Sequence, residues 1–245
     1  MRLVGVGVGP GDPELLTLAG LRELTDASRI FVPVLAKDER GRAEAVVRAH
    51  LAAPLERLVF ALSDPVTGPQ ERRHHHWDAA ADRVVGYLRQ EGGTAAFATI
   101  GDPTIYSTFG HLAATVRARI PSVTVETVPG ITAMQAAASA AGITLVEGAE
   151  PLTVLPVTRN VTVVAEALDG HGTVVAYKGG RRLRELREVI ERAGALDRAV
   201  YAEHLGTGDQ RVLPLSEVDS SGTVDAPYLS TVVVLPSRGG RGEQL

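Results

Sequence analysis

Apolar runs of strand length alternate with longer amphipathic stretches from the first residues to about Glu203. Residues 3–8, 29–34, 57–60, 94–99 and 123–128 are short runs rich in Val, Ile, Leu, Phe and Ala, the composition of strands covered on both faces. Between them, residues 14–25, 42–50, 72–90 and 106–119 place apolar side chains three and four apart, which predicts helices. This alternation predicts α/β units around a mostly parallel sheet.

The texture changes after 120–122. A helix of very small residues is expected over 133–141, followed by strands at 152–157, 173–177, 199–203, 210–213 and 228–235. The last three leave no room for intervening helices, so this half should end in antiparallel strands and hold a mixed sheet. Residues 181–192 set Leu183, Leu186 and Ile190 on one stripe among charges, an amphipathic surface helix. The expected division is a first α/β domain over 1–120 and a second over 121–245, with helices on both faces of the sheets. Neither half repeats the other at a fixed period, and the Gly- and Arg-rich tail 237–245 reads as disordered.

Composition narrows the function classes. The 245 residues are 44% hydrophobic, enough for a real core, and contain no cysteine, which excludes disulfides and thiolate metal sites. A formal charge of -4 argues against a general nucleic-acid binder. No run approaches the roughly 20 apolar residues of a membrane span. The opening "MRLVGVG" lacks the apolar core and cleavage site of a signal peptide, so the cytoplasm is expected.

The stretch "VGVGVGPGDPELLTL" (4–18) looks like a dinucleotide-binding turn but is out of register. A G-x-G-x-x-G motif started at Gly5 reaches Pro10, and one started at Gly7 reaches Asp12. Pro10 removes an amide that a phosphate cradle would use, and Asp12 sets a carboxylate where an anion would sit. A nicotinamide dehydrogenase therefore fails. What remains is a strand, a rigid proline turn and a helix whose first turn carries Asp12 and Glu14, suited to a cationic or zwitterionic ligand held by backbone contacts. "ATIGDPTIYSTFGHL" (98–112) repeats the design, and "VPGITAMQAAASAAG" (128–142) makes a third turn with Thr132 as candidate N-cap. Turns at the carboxyl ends of strands are where α/β sheets bind ligands, so three of them point to one site.

Taken in order, "VGVGPGDPELLTLAG", "GDPTIYSTF", "VPGITA" and "VVAYKGG" resemble the successive motifs of the tetrapyrrole methylases, S-adenosylmethionine-dependent enzymes of sirohaem and cobalamin synthesis. "GDPTIYSTF", "PLTVLPV" and "PYLSTVVVLP" most resemble the branch acting at carbon 20 of precorrin-2 or its cobalt counterpart. The resemblance implies a two-domain homodimer with folded S-adenosylmethionine in a cleft between domains, leaving S-adenosylhomocysteine as product. It places cofactor contacts at Pro10, Gly101, Asp102, Ile105, Thr132 and Ala133. It adds Lys178, where relatives often carry methionine, and Leu205, where the family carries glycine and this chain has one extra residue before Gln210. Where the branch methylating uroporphyrinogen III has an aspartate, this chain has Pro33, which disfavours that activity.

A sulfonium methyl is already electrophilic, so neither a metal nor a covalent nucleophile is expected, and no catalytic triad stands out. A ring with eight carboxylates calls for arginines that grip with paired hydrogen bonds; Arg40, Arg42, Arg159, Arg181 and Arg182 are the candidates. Tyr106 either orients the substrate or opens the buried face of a helix. "RRHHHW" (72–77) points its histidines in different directions, as on a solvated helix rather than a metal site. His204 reads as a strand-edge histidine. The alternatives are a different tetrapyrrole methylase, a ribosomal RNA ribose methyltransferase disfavoured by the charge, or a sensor that binds S-adenosylmethionine without turnover.

Overall fold

The computed structural model describes residues 1–60, 70–158, 160–218 and 226–239. The chain divides into two compact units, Met1–Thr132 and Ala133–Leu245. The expected boundary at 120/121 moves twelve residues toward the C-terminus because the strand Thr124–Val128 pairs with the first strand of the chain.

In the first unit, β1 (Arg2–Gly7), β2 (Arg29–Val34), β3 (Leu55–Val59), β4 (Thr94–Thr99) and β5 (Thr124–Val128) form a parallel sheet of order β3-β2-β4-β1-β5. Its two faces are read directly from alternate residues. Leu3, Phe31, Ala95 and Phe97 pack under α3 (Gln70–Glu91) and α4 (Phe109–Arg119). Val4, Val6, Ile30, Val32, Ala96 and Ala98 face α1 (Leu18–Asp26) and α2 (Arg42–His50). Both faces are thus apolar and buried, which is why these strands read as continuous hydrophobic runs.

Two local departures from expectation matter. The segment expected as one helix over 14–25 is a 3₁₀ turn, Pro13–Leu15, followed by α1. Asp12 caps the first by accepting from the Glu14 amide at 2.9 Å, and Thr17 caps the second by accepting from Gly20 at 3.0 Å. Two caps five residues apart terminate one element and start another, so Asp12 and Glu14 complement a single turn rather than a helix dipole. The helix expected from Tyr106 starts at Phe109, because the Ser107 hydroxyl accepts from the Phe109 amide at 3.1 Å. The Phe109 ring then fills the space beside Gly5, where an added Cβ would lie 2.5 Å from it.

In α2, Glu44 is buried and bonds Arg57 (2.6 Å) on β3 and Arg48 (2.7 Å) one turn later. The Arg57 guanidinium, with that of Arg48, holds its carboxyl below the ordinary range against the cost of burial. A depressed carboxyl stabilises the fold above its unfolded value near 4.5 and loses that contribution as pH falls through the lower folded value. Glu44→Gln should cost about 1 kcal/mol at pH 7, because Arg57 and Arg48 lose a charged acceptor but remain in contact with water. Thermal melts from pH 7 to 3 check this: the gap between wild type and variant narrows below pH 4.5 if the carboxylate acts as described, and stays constant if it does not.

In the second unit, β6 (Leu152–Pro156), β7 (Thr173–Tyr177), β8 (Ala199–Glu203), β9 (Arg211–Pro214) and β10 (Ser230–Val234) form a mixed sheet of order β6-β7-β10-β8-β9. β6 and β7 are parallel; β8, β9 and β10 pair antiparallel, as expected from their short connections. α6 (Thr162–Leu168) and α7 (Leu183–Arg192) cover one face through Val164, Leu186 and Ile190, and α5 (Ala133–Ala141) lies on the other against β10 and β9. The sequence reading left α6 out. Its seven residues are too few for periodicity to show.

The expected disorder of the tail fails at its start; residues 240–245 lie outside those described. Arg238 bonds both carboxylate oxygens of Glu150, at 2.7 and 2.8 Å, and the carbonyls of Thr144 and Leu145. A bidentate guanidinium with two further acceptors fixes the chain that carries it.

Candidate functional site

The first unit brings three strand ends together by leaving out side chains. β1 ends in Gly7, β4 runs into Gly101 and β5 into Gly130. A Cβ on Gly130 would stand 2.2 Å from the Gly101 carbonyl oxygen and 2.8 Å from the Gly7 backbone, and one on Gly7 would stand 2.6 Å from both neighbours. Backbone therefore packs on backbone. Gly9 and Gly101 add an isolated antiparallel bridge, the Gly101 amide donating to the Gly9 carbonyl at 2.8 Å. Gly101 adopts φ +70, which only glycine takes without strain, and nothing lies within 4 Å of the position its Cβ would occupy. That side of the turn is open space.

Asp102, the residue after that glycine, does not offer its carboxylate to a ligand. It is buried; one oxygen accepts from the Thr104 amide (2.8 Å) and hydroxyl, the other from the Gly130 amide (2.9 Å). Burial pushes its carboxyl up, and the hydrogen bonds from Thr104 and Gly130 outweigh burial to hold it below the ordinary value. Asp102 is thus the brace that ties the second turn to the third. Replacing Asp102 would therefore cost the fold these hydrogen bonds.

Pro10 and Thr132 are buried in the first unit, and Ile105 is half-buried there. Tyr106 is exposed with a left-handed backbone, φ +50. It therefore does not begin a buried helix face. Non-glycine residues held at positive φ carry strain and gather at functional sites. Arg40 is exposed in the connection after β2, and Arg42 opens α2, where burial lowers its guanidinium pKa. Pro33 lies in β2, beyond the point where that strand stops pairing with β4, so its missing amide breaks no ladder on that side.

The second unit holds the remaining candidates. Ala133 is the first residue of α5, and the Met134 amide donates to the Tyr177 hydroxyl at 2.9 Å, a cap from the end of β7 that sequence reasoning missed. Lys178 follows β7 directly at φ +62, and His204 follows β8 at φ +51. Leu205 is buried. Arg181 is exposed beside Tyr228, while Nη1 of Arg182 donates to both carboxylate oxygens of Glu185, at 2.7 and 3.0 Å. Arg159 lies outside the described residues. Buried Glu203 accepts from the Tyr201 hydroxyl (2.6 Å) and from Arg211 (2.8 Å), which is exposed on the edge strand β9.

His74 and His75 of the histidine run are exposed on α3. His74 lies 5.5 Å from the ring of Trp77 one turn on, and His111 of α4 stacks on that indole at 4.1 Å. Among the described residues no three His, Asp or Glu side chains converge as a metal cluster, and no helix is long and apolar enough to cross a membrane.

Comparison with known proteins gives this arrangement relatives along its full length. Over 95% of the chain and 94% of the relative it is 35% identical to a precorrin-2 C(20)-methyltransferase from a Sinorhizobium species. It is 36% identical to a probable cobalt-precorrin-2 C(20)-methyltransferase from Methanocaldococcus jannaschii over 78% of the chain and 77% of the relative. The structure of uroporphyrin-III C-methyl transferase from Thermus thermophilus, complexed with S-adenyl homocysteine, superposes at TM-score 0.64 with 22% identity, over 96% of this chain and 97% of that one. The profile of the tetrapyrrole (corrin/porphyrin) methylases matches residues 2–219, and the chain belongs to that family.

Proposed function

We propose that this chain is an S-adenosylmethionine-dependent methyltransferase acting at carbon 20 of precorrin-2, or of its cobalt-bearing form, in cobalamin biosynthesis. The observation that carries the reading is the end-to-end identity with a precorrin-2 C(20)-methyltransferase. The close backbone packing of Gly7, Gly101 and Gly130, with open space on the free side of Gly101, supports it.

S-adenosylmethionine, when bound, supplies a sulfonium methyl that needs no further activation. The protein's task is positional. The Gly101 main chain offers open space for close contact, and Asp102 fixes that turn against Gly130. Pro10, Ile105, Thr132, Ala133 and Leu205 would line the cofactor with backbone and apolar atoms, which exclude water and hold reactants at near-attack separation, about 3 to 3.5 Å. Tyr106, exposed on a strained backbone, would orient the ring. Arg40, Arg42 and Arg181 would meet its carboxylates. The reaction adds one methyl to the ring and releases one proton.

The same reading carries a cytoplasmic homodimer without a nucleic-acid partner, in keeping with the -4 charge. The family also contains members that act on uroporphyrinogen III, and Pro33 at the strand position expected to hold an acid favours the carbon 20 reaction. The test is anaerobic incubation with S-adenosylmethionine and either precorrin-2 or its cobalt form, followed by mass analysis. A gain of one methyl on one of these rings is expected, and the preferred ring names the pathway. Cofactor binding with no transfer to either would mean a different ring or a sensor.

A further inference from the structure

We infer that Arg57 is a positioning residue for the tetrapyrrole: from β3 it fixes the 35–41 connection, which meets the ring at the carboxyl end of the first sheet; this rests on the function proposed above. The connection leaves β2 at its carboxyl end, the edge where parallel sheets bind ligands. It exposes Leu35, and after it charges of both signs, Lys37, Asp38, Glu39 and Arg40. A ring with apolar faces and a carboxylate rim gains from Leu35, Lys37 and Arg40 and is repelled by Asp38 and Glu39. Such a loop serves the ring only when it is held in one conformation.

The structure shows what holds it. The Glu39 amide donates to the Ala36 carbonyl at 3.2 Å, closing a turn with Lys37 and Asp38 at its centre. A Cβ at Gly41 would stand 2.8 Å from the Pro33 carbonyl oxygen, so the chain folds back onto β2. Arg57 ties the turn itself to the sheet. Its Nη1 donates to the Lys37 carbonyl at 2.9 Å, while Nε and Nη2 grip the two carboxylate oxygens of buried Glu44 at 2.6 and 3.0 Å. Glu44 aims the planar fork, and the fork reaches the loop. Hydrogen bonding to Glu44 pushes the Arg57 guanidinium pKa up and the Asp38 charge adds to it, so the field of Arg57 also draws the acid of the turn toward the sheet. A lysine at this place still pairs with Glu44 as a point charge but lacks the fork that spans both acceptors.

The experiment measures KM and kcat of methyl transfer to precorrin-2, S-adenosylhomocysteine affinity by calorimetry, and the rate of tryptic cleavage after Lys37 and Arg40. Arg57→Lys should raise the KM for precorrin-2 about tenfold and speed cleavage in the loop, with kcat and S-adenosylhomocysteine affinity unchanged. Val84→Ala is the stability control: it opens a cavity under α3 on the other face of the sheet and lowers the melting temperature, and it should leave KM unchanged. An unchanged KM in Arg57→Lys would overturn the inference and leave the functional reading standing. A raised KM with unchanged cleavage would put Arg57 on the ring itself and overturn the part given to the loop. If S-adenosylhomocysteine affinity falls in step with KM, or Val84→Ala raises KM as much, Arg57 serves the fold alone and the inference is wrong. If wild type methylates neither precorrin-2 nor its cobalt form, the functional reading fails and the inference with it.

Discussion

Gly130→Ala should destabilise the first unit by about 3 kcal/mol or more, the upper range for overpacking, although it adds a single methyl group. The new Cβ would stand 2.2 Å from the Gly101 carbonyl oxygen and 2.8 Å from two Gly7 backbone atoms. Flexible side chains can yield to a bad contact, but these are main-chain atoms at the ends of three paired strands, and moving one moves the ladder. The Gly130 amide also donates to buried Asp102, so any shift of the third turn strips a hydrogen bond from a carboxylate held in its ionised form. Gly110→Ala is the control. That glycine lies inside α4 with nothing within 4 Å of its Cβ position, and the substitution should be neutral or stabilise by about 0.5 to 1 kcal/mol through helix propensity. Urea denaturation of the two variants checks both. Equal midpoints for Gly130→Ala and wild type would show that the strand ends have slack the geometry denies.

The second large effect is on binding rather than folding. Gly101→Leu puts four carbons into the space beside the second turn, where nothing lies within 4 Å, so it meets no protein atom at its Cβ. The backbone strain of a side chain at φ +70 costs about 1 to 2 kcal/mol, which a fold of this size tolerates. A cofactor seated on that turn, as proposed, would lose the space. S-adenosylmethionine affinity should fall at least about 100-fold, with far-ultraviolet circular dichroism unchanged. Unchanged affinity in a folded Gly101→Leu protein would refute the placement of the cofactor on these turns.

The two glycines differ in a way the sequence does not display. Gly101 and Gly130 sit in similar motifs, "GDP" and "PGI", and local sequence gives both a turn; only the resemblance sets Gly101 apart as a cofactor contact. Structure separates them: the Cβ position of Gly101 opens on empty space, and that of Gly130 is filled by the backbone of neighbouring strands. Asp102 shows the same limit. Its position in the motif is legible, but the partner of its carboxylate, the Gly130 amide 28 residues away, is not. What was legible was what depends on near neighbours. The double-faced apolar strands, the small-residue helix over Ala133–Ala141 and the antiparallel close of the second sheet follow from run length and spacing. The Tyr177 cap on α5 and the Arg238 clamp on Glu150 join residues 43 and 88 positions apart, and no local pattern announces them. The division at Thr132 escaped for the same reason: β5 belongs to the first sheet by its pairing with β1, a partner at the other end of the unit.

The central claim is that this chain places a methyl group on carbon 20 of a precorrin-2 ring. The most direct measurement is turnover of precorrin-2, in metal-free and cobalt forms, with S-adenosylmethionine carrying a ¹³C-labelled methyl, and assignment of the labelled carbon in the product by NMR. The account predicts one enriched methyl, bonded to carbon 20. Label at any other carbon, or methylated uroporphyrinogen III in place of a methylated precorrin-2, would contradict it.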